Sequence, residues 1–198
     1  MPMESDIEAI EWHPDAEGQG RYLLSFLQST EDVLPSLRRR TQDVLADFGI
    51  EDIDQDAYYP IEDIAAAFQN IVESIGETTM RRGGEQMGLD IPFPPSVDSP
   101  HAALDSLNDL HQEAFRIPPG SDASGSAATE PAGGYDYTKI DDTTARMAIT
   151  ERYPFPAAMA EGVVKGVVNR FGDSNSYVRT EEVSTEQDER AAWDVSWM

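Results

Sequence analysis

Residues 135–171 read YDYTKIDDTTARMAITERYPFPAAMAEGVVKGVVNRF, and the change of period inside this stretch decides the fold. From Tyr135 to Lys139, and again from Thr144 to Tyr153, residues alternate, setting Ala145, Met147 and Ile149 opposite Arg146, Ala148 and Thr150. A period of two marks half-buried strands, and Asp141-Asp142 between the runs supplies a hairpin turn. Pro154 and Pro156 cannot donate to a ladder, so the second strand ends there. From Ala157 the period becomes helical, with Met159, Val163, Val167 and Phe171 at steps of four and Val164 and Val168 beside them. Gly162 and Gly166 lie one turn apart on this helix, which predicts its close approach to a sheet.

Working outward, two further alternating runs follow at about 176–183 and 191–197, the second placing Trp193, Val195 and Trp197 on one face. Upstream the chain reads as helices. Tyr22, Leu23, Phe26 and Leu27 form one stripe; Val33, Leu37, Val44, Leu45 and Phe48 form another, which stops at Gly49. Residues 51–59 read as an acidic loop. Ile61, Ile64, Phe68, Ile71, Val72 and Ile75 recur at three and four behind Pro60, and a short helix over 77–87 follows Gly76. After a proline-rich connector over 89–100, Ser99-Pro100 opens a helix with Leu104, Leu107, Leu110, His111, Ala114 and Phe115 along one face. The Gly-, Ser-, Ala- and Pro-rich run 117–134 reads as a flexible loop. The expectation is one α+β domain over 1–198: a helical subregion (1–116), the loop (117–134), and an antiparallel sheet with one helix in β-β-α-β-β order (135–198).

Charge bounds the function. Fourteen basic residues, only two of them lysine, face thirty-eight acidic ones for a formal charge of -24. Such a surface is tolerable where salt screens it, since the Debye length falls to about 3 Å at 1 M. The composition therefore predicts the salt-loaded cytoplasm of a halophilic archaeon, and acid pairs such as Glu181-Glu182 read as solvated surface. Nucleic-acid binding needs a basic face; the single basic run, Arg38-Arg39-Arg40, would point to different sides of a helix. No stretch approaches the ~20 apolar residues that span a bilayer, so no membrane insertion is expected. The absence of cysteine removes disulfides, thiolate nucleophiles and cysteine-held metals.

Catalytic motifs are missing: no phosphate loop, no nucleophile elbow, no His-Glu-x-x-His. His111 stands out because it falls on an apolar helix face, so its ring points inward. Two readings stay open: a core histidine bonded to a backbone carbonyl, or an axial ligand to a buried haem. Arg152, at a strand end before the Pro154-Phe155-Pro156 turn, either grips a ligand carboxylate or pairs with one of the many acids. Phe155 is placed to cap a pocket between sheet and helix.

These residues carry a resemblance. Ser106-Leu107-Asn108-Asp109-Leu110-His111 is similar to the helix on which haem–nitric-oxide/oxygen-binding (H-NOX) domains place their proximal histidine. The Arg152–Pro156 junction with Glu161-Gly162-Val163-Val164-Lys165-Gly166, and the ending Ala192-Trp193-Asp194-Val195-Ser196-Trp197, resemble the vinyl-reductase-like sensors of the same superfamily, which also includes the TRAPP tethering subunits. Tyr58-Tyr59-Pro60-Ile61 through Ile75-Gly76-Glu77-Thr78 looks like their helical region. The H-NOX signature Tyr-x-Ser-x-Arg, which grips haem propionates, corresponds here to Ala148, Thr150 and Arg152, so only the arginine is kept.

The resemblance implies a non-catalytic sensor or regulatory domain that binds a small ligand, with haem as one candidate. Its walls would be Phe68, Ile71, Leu107, Met147, Phe155 and Val163, with His111 and Arg152 as the cofactor-binding residues. With no output segment after Trp197, signalling through a separate protein partner is expected. The alternative is a structural adaptor that forms a homodimer through a helix face over a vestigial pocket. A tetrapyrrole vinyl reductase is a third reading.

Overall fold

The computed structural model describes residues 12–121, 130–172 and 177–198. Residues 122–129 of the loop expected over 117–134, and the first residue of the strand expected over 176–183, lie outside the described residues. Strands β4 (Tyr135–Lys139), β5 (Thr144–Thr150), β6 (Val178–Glu182) and β7 (Glu189–Trp197) form an antiparallel sheet in the spatial order β4-β5-β7-β6. Directly opposed residues share a face. Met147 lies opposite both Tyr137 and Trp193, and Ala145 opposite Val195, so the alternating apolar set of the sequence forms one buried face. Helix α7 (Ala157–Phe171) covers that face, tied to it where the Thr180 hydroxyl donates to Glu161 at 2.6 Å. On the other face the Arg146 guanidinium makes two 2.6 Å bonds to the Glu189 carboxylate. The fold is α+β with an antiparallel sheet, as the periods predict.

The helices of the first half are α1 (Gly20–Val33), α2 (Pro35–Asp47), α3 (Ile61–Ile75), α4 (Glu77–Asp90), α5 (Pro100–Asp105) and α6 (Leu107–Gln112), and they depart from the stripes in two places. Val33, expected on the second stripe, ends α1, because Pro35 has no N–H to give and starts a new helix after Leu34. The continuous helix expected from Pro100 to Phe115 is split at Ser106. Its hydroxyl donates to the Ala102 carbonyl at 2.8 Å, a back-bond that disturbs the helical ladder. Phe115 then leaves the helix for β3 (Phe115–Arg116).

That strand belongs to a feature the periods did not show. β1 (Glu17–Gln19) pairs with β2 (Tyr58–Pro60) on one side and β3 on the other, all antiparallel. Strands of two or three residues are too short to carry an alternation signal. Gly18 permits the arrangement: a Cβ there would stand 2.7 Å from Ile64 Cδ1 and 3.1 Å from the Phe115 ring.

Gly162 and Gly166 do allow a close approach, but toward helix α4 and not the sheet. A Cβ on Gly162 would collide with the Arg81 carbonyl, and one on Gly166 with the Glu85 carbonyl. From the facing helix, Gly84 and Gly88 press in the same way on the Met159 and Val163 carbonyls. Two helices thus meet backbone to backbone, flanked by Arg81–Glu161 at 2.7 Å and Lys165–Glu85 at 3.2 Å. No helix of the described residues is long and apolar enough to cross a membrane.

Gly162→Ala gains helix propensity of up to about 1 kcal/mol, yet it should lower the urea midpoint by the equivalent of about 1–3 kcal/mol, because overpacking outweighs propensity. A neutral or stabilised variant would show that the helices do not touch through their backbones. Glu189 gives a pH-dependent outcome, because hydrogen bonds from Arg146 hold its carboxyl below the ordinary 4.5. A lowered carboxylate pKa contributes stability above the unfolded value and loses it as pH falls through the folded one. Glu189→Gln should therefore be less stable than wild type at pH 7, and urea titrations should show the gap closing as pH falls below 4.5.

Candidate functional site

Where α1, α3, α6 and α7 converge they leave a cavity of about 370 Å³, inside the ~300–1,000 Å³ range of small-ligand sites. Its walls are mostly apolar: Phe68 from α3, Leu107 from α6, Phe115 from β3, and Phe155, Met159 and Val163 around the start of α7. Exposed Arg21, Ser25, Gln28 and Asp90 mark the mouth. Buried Tyr135 and Tyr153 and half-buried His111 bring polar side chains into the lining.

Of the residues expected at a site, Phe68, Leu107, His111, Phe155 and Val163 line this cavity. Ile71 and Met147 do not. Ile71 is fully enclosed one turn beyond Phe68, and Met147 is spent on the core between Tyr137 and Trp193. Arg152 is also absent from the lining. The β5–β7 register shifts between Ile149 and Thr150, and such an irregularity re-aims the side chains after it. The Tyr153 amide then donates to the Thr150 carbonyl at 3.1 Å, closing a turn that sends Tyr153 inward at 2% exposure. The Arg152 carbonyl accepts from the Trp12 indole at 2.7 Å. The alternation of 144–153 already put Tyr153 on the face of Met147; weighing the arginine's charge over that register hid it.

His111 is held by its surroundings. Its ring stacks on Tyr153 with centroids 5.0 Å apart and planes 23° apart, and meets Phe115 at 4.8 Å and the edge of Tyr135 at 5.5 Å. Burial lowers its pKa to about 4, against the opposing pull of the Ala132 carbonyl. The ring is therefore neutral at pH 7. Nε2–H donates to that carbonyl at 3.4 Å, a long bond. Nδ1 then carries a lone pair with no partner among the described residues.

The same turn of α6 binds the chain entering β4. Asn108 accepts from the Tyr135 amide at 3.0 Å, and Gln112 donates to the Gly133 carbonyl at 2.8 Å. Within the cavity lining the Tyr135 and Tyr153 hydroxyls bond to each other at 2.5 Å, and burial pushes both phenols above their ordinary range. Arg190 donates to the Tyr153 and Phe155 carbonyls at 2.8 and 3.2 Å, locking the turn that carries both rings.

Haem can be tested against these residues. The iron end fits in kind: a half-buried, neutral imidazole sits in an apolar wall, and Nε2, the ring nitrogen a haem iron ordinarily takes, is held only by the long 3.4 Å bond to the Ala132 carbonyl. The propionate end does not follow the signature. Ala148 faces away from the cavity, Thr150 accepts the Gly134 amide at 2.9 Å, and Arg152 is not in the lining. The exposed part of the lining carries Arg21 and Ser25 instead, together with the carboxylates of Asp90 and Glu113.

No protein-family model matches the chain, and no curated protein matches it significantly. Solved structures do. A point mutant of the T. tengcongensis H-NOX is similar over 90% of this chain and 97% of that one, at 14% identity and a TM-score of 0.60. An oxygen-binding H-NOX domain related to soluble guanylate cyclases, solved as its oxygen complex, covers 90% and 94% at 14% identity and a TM-score of 0.61. A third H-NOX structure, from work on the mechanism of H-NOX activation, covers 91% and 96% at 13% identity and a TM-score of 0.59. The chain has an H-NOX-like fold.

Proposed function

We propose that this chain is a non-catalytic sensor or regulatory domain that takes a small ligand in the cavity beside His111, with haem as the ligand this donor chemistry favours. The observation that carries the reading is the pairing of an apolar cavity with one inward, neutral imidazole whose Nδ1 is unclaimed. Support comes from the fold, shared over nine-tenths of the chain with a domain described as binding oxygen. Haem, when bound, supplies an iron centre able to take a diatomic ligand. The chain's own part is to present the imidazole of His111, to keep it unprotonated by burial, and to exclude water with Phe68, Leu107, Phe155 and Val163. Arg21 is the cation placed to meet an acidic group at the mouth.

A cavity change becomes a signal only if it alters an element that another protein can read. Helix α6 is that element: Asn108, His111 and Gln112 all bond to 132–135, so a ligand that reorients His111 acts on the entry to β4. The signal then passes to a separate protein partner.

Protein purified in molar KCl and mixed with haemin should show a Soret band, and His111→Ala should lose most of it while keeping the far-ultraviolet circular dichroism of wild type. A folded wild-type protein that takes up no haemin, and carries no small molecule in native mass spectrometry, would contradict the reading. A salt-stable dimer under those conditions would favour the adaptor alternative.

A further inference from the structure

Two hydroxyls that bond to one another use only one of their two protons. In the Tyr135–Tyr153 pair one phenol donates across the 2.5 Å gap and the other accepts. The accepting phenol's own proton finds no acceptor among the described residues, since each hydroxyl bonds only to the other. Leaving a buried donor unmet is unfavourable. Both tyrosines line the cavity and both are almost fully buried, at 6% and 2% exposure. Of the residues lining the cavity only Arg21 carries a permanent positive charge, and it is exposed at the mouth, so a carboxylate at the deep end would go unbalanced.

We infer that the Tyr135–Tyr153 pair is a specificity site that recognises an uncharged oxygen acceptor, a carbonyl carried on an apolar molecule, by donating its spare proton into the cavity. The inference rests on the cavity being a ligand site, but not on the ligand being haem. It also accounts for the composition of this corner, where two large hydroxylated rings occupy a place that two phenylalanines would fill with no unmet donor.

A matched pair of probes isolates the hydrogen bond. 2-Acetylnaphthalene and 2-ethylnaphthalene share an apolar body and differ in one carbonyl, and their affinities can be compared by calorimetry on the full chain in molar KCl. The ketone should bind about three- to tenfold tighter, the range of one net hydrogen bond. Because a lone remaining phenol still has a proton to give, at least one of Tyr135→Phe and Tyr153→Phe should keep that preference. The double variant should lose it while still binding the hydrocarbon. Equal affinity of both probes for wild type would overturn the inference and leave the cavity standing. Binding of neither probe would remove the cavity reading as well. A preference that survives in the double variant would place the donor elsewhere and overturn the inference.

Discussion

Backbone contact between α4 and α7 is the constraint on which the rest depends. Four glycines, Gly84, Gly88, Gly162 and Gly166, let the two helices press carbonyl against Cα where side chains would hold them apart. Dispersion falls steeply with separation, so a gap of about 1 Å would forfeit much of that contact. The approach also fixes the cavity. Met87, Asp90 and Ile91 at one end of this helix pair, and Met159 and Val163 on its partner, form one side of the space. His111 and the two tyrosines form the other. The helix pair therefore forms a single wall of the cavity.

The polar groups inside are organised by the turn after β5. The register shift at Ile149/Thr150, the Tyr153–Thr150 turn and the two carbonyl bonds from Arg190 act together on one short stretch of chain. They hold on the cavity side the phenol that the alternation of β5 already assigns to that face. The consequence is electrostatic: the deep end holds neutral donors and a neutral imidazole, while cationic Arg21 stays at the mouth. A ligand with a neutral head or an iron centre meets matched chemistry deep inside, and a bare carboxylate is matched only at the rim.

How much of this was legible in the sequence depended on element length and on context. β4, β5, α7, β6 and β7 announced themselves through periods of two and of about four, each sustained over five or more residues. The three-stranded sheet of β1, β2 and β3 was invisible because such short strands carry no period, and Phe115 was absorbed into a helical stripe. That Gly162 and Gly166 mark a close approach was readable; that the neighbour is a helix was not, since it required Gly84 and Gly88 to be placed opposite them. His111 was legible from the stripe it shares with Leu107. Tyr153 lay in plain alternation with Met147, and the same alternation puts Arg152 on the opposite face; the register shift between Ile149 and Thr150 is a pairing irregularity that only the partner strand reveals.

The proposed site requires His111 to be a half-buried, neutral imidazole with one ring nitrogen bonded to a carbonyl and the other open. Nitrogen-15 NMR of the imidazole during a pH titration tests it directly. The account predicts the Nε2–H tautomer at pH 7 and a midpoint at about 4. A midpoint at or above the ordinary 6.5, or an even mixture of tautomers, would place the ring in water and contradict the cavity as built.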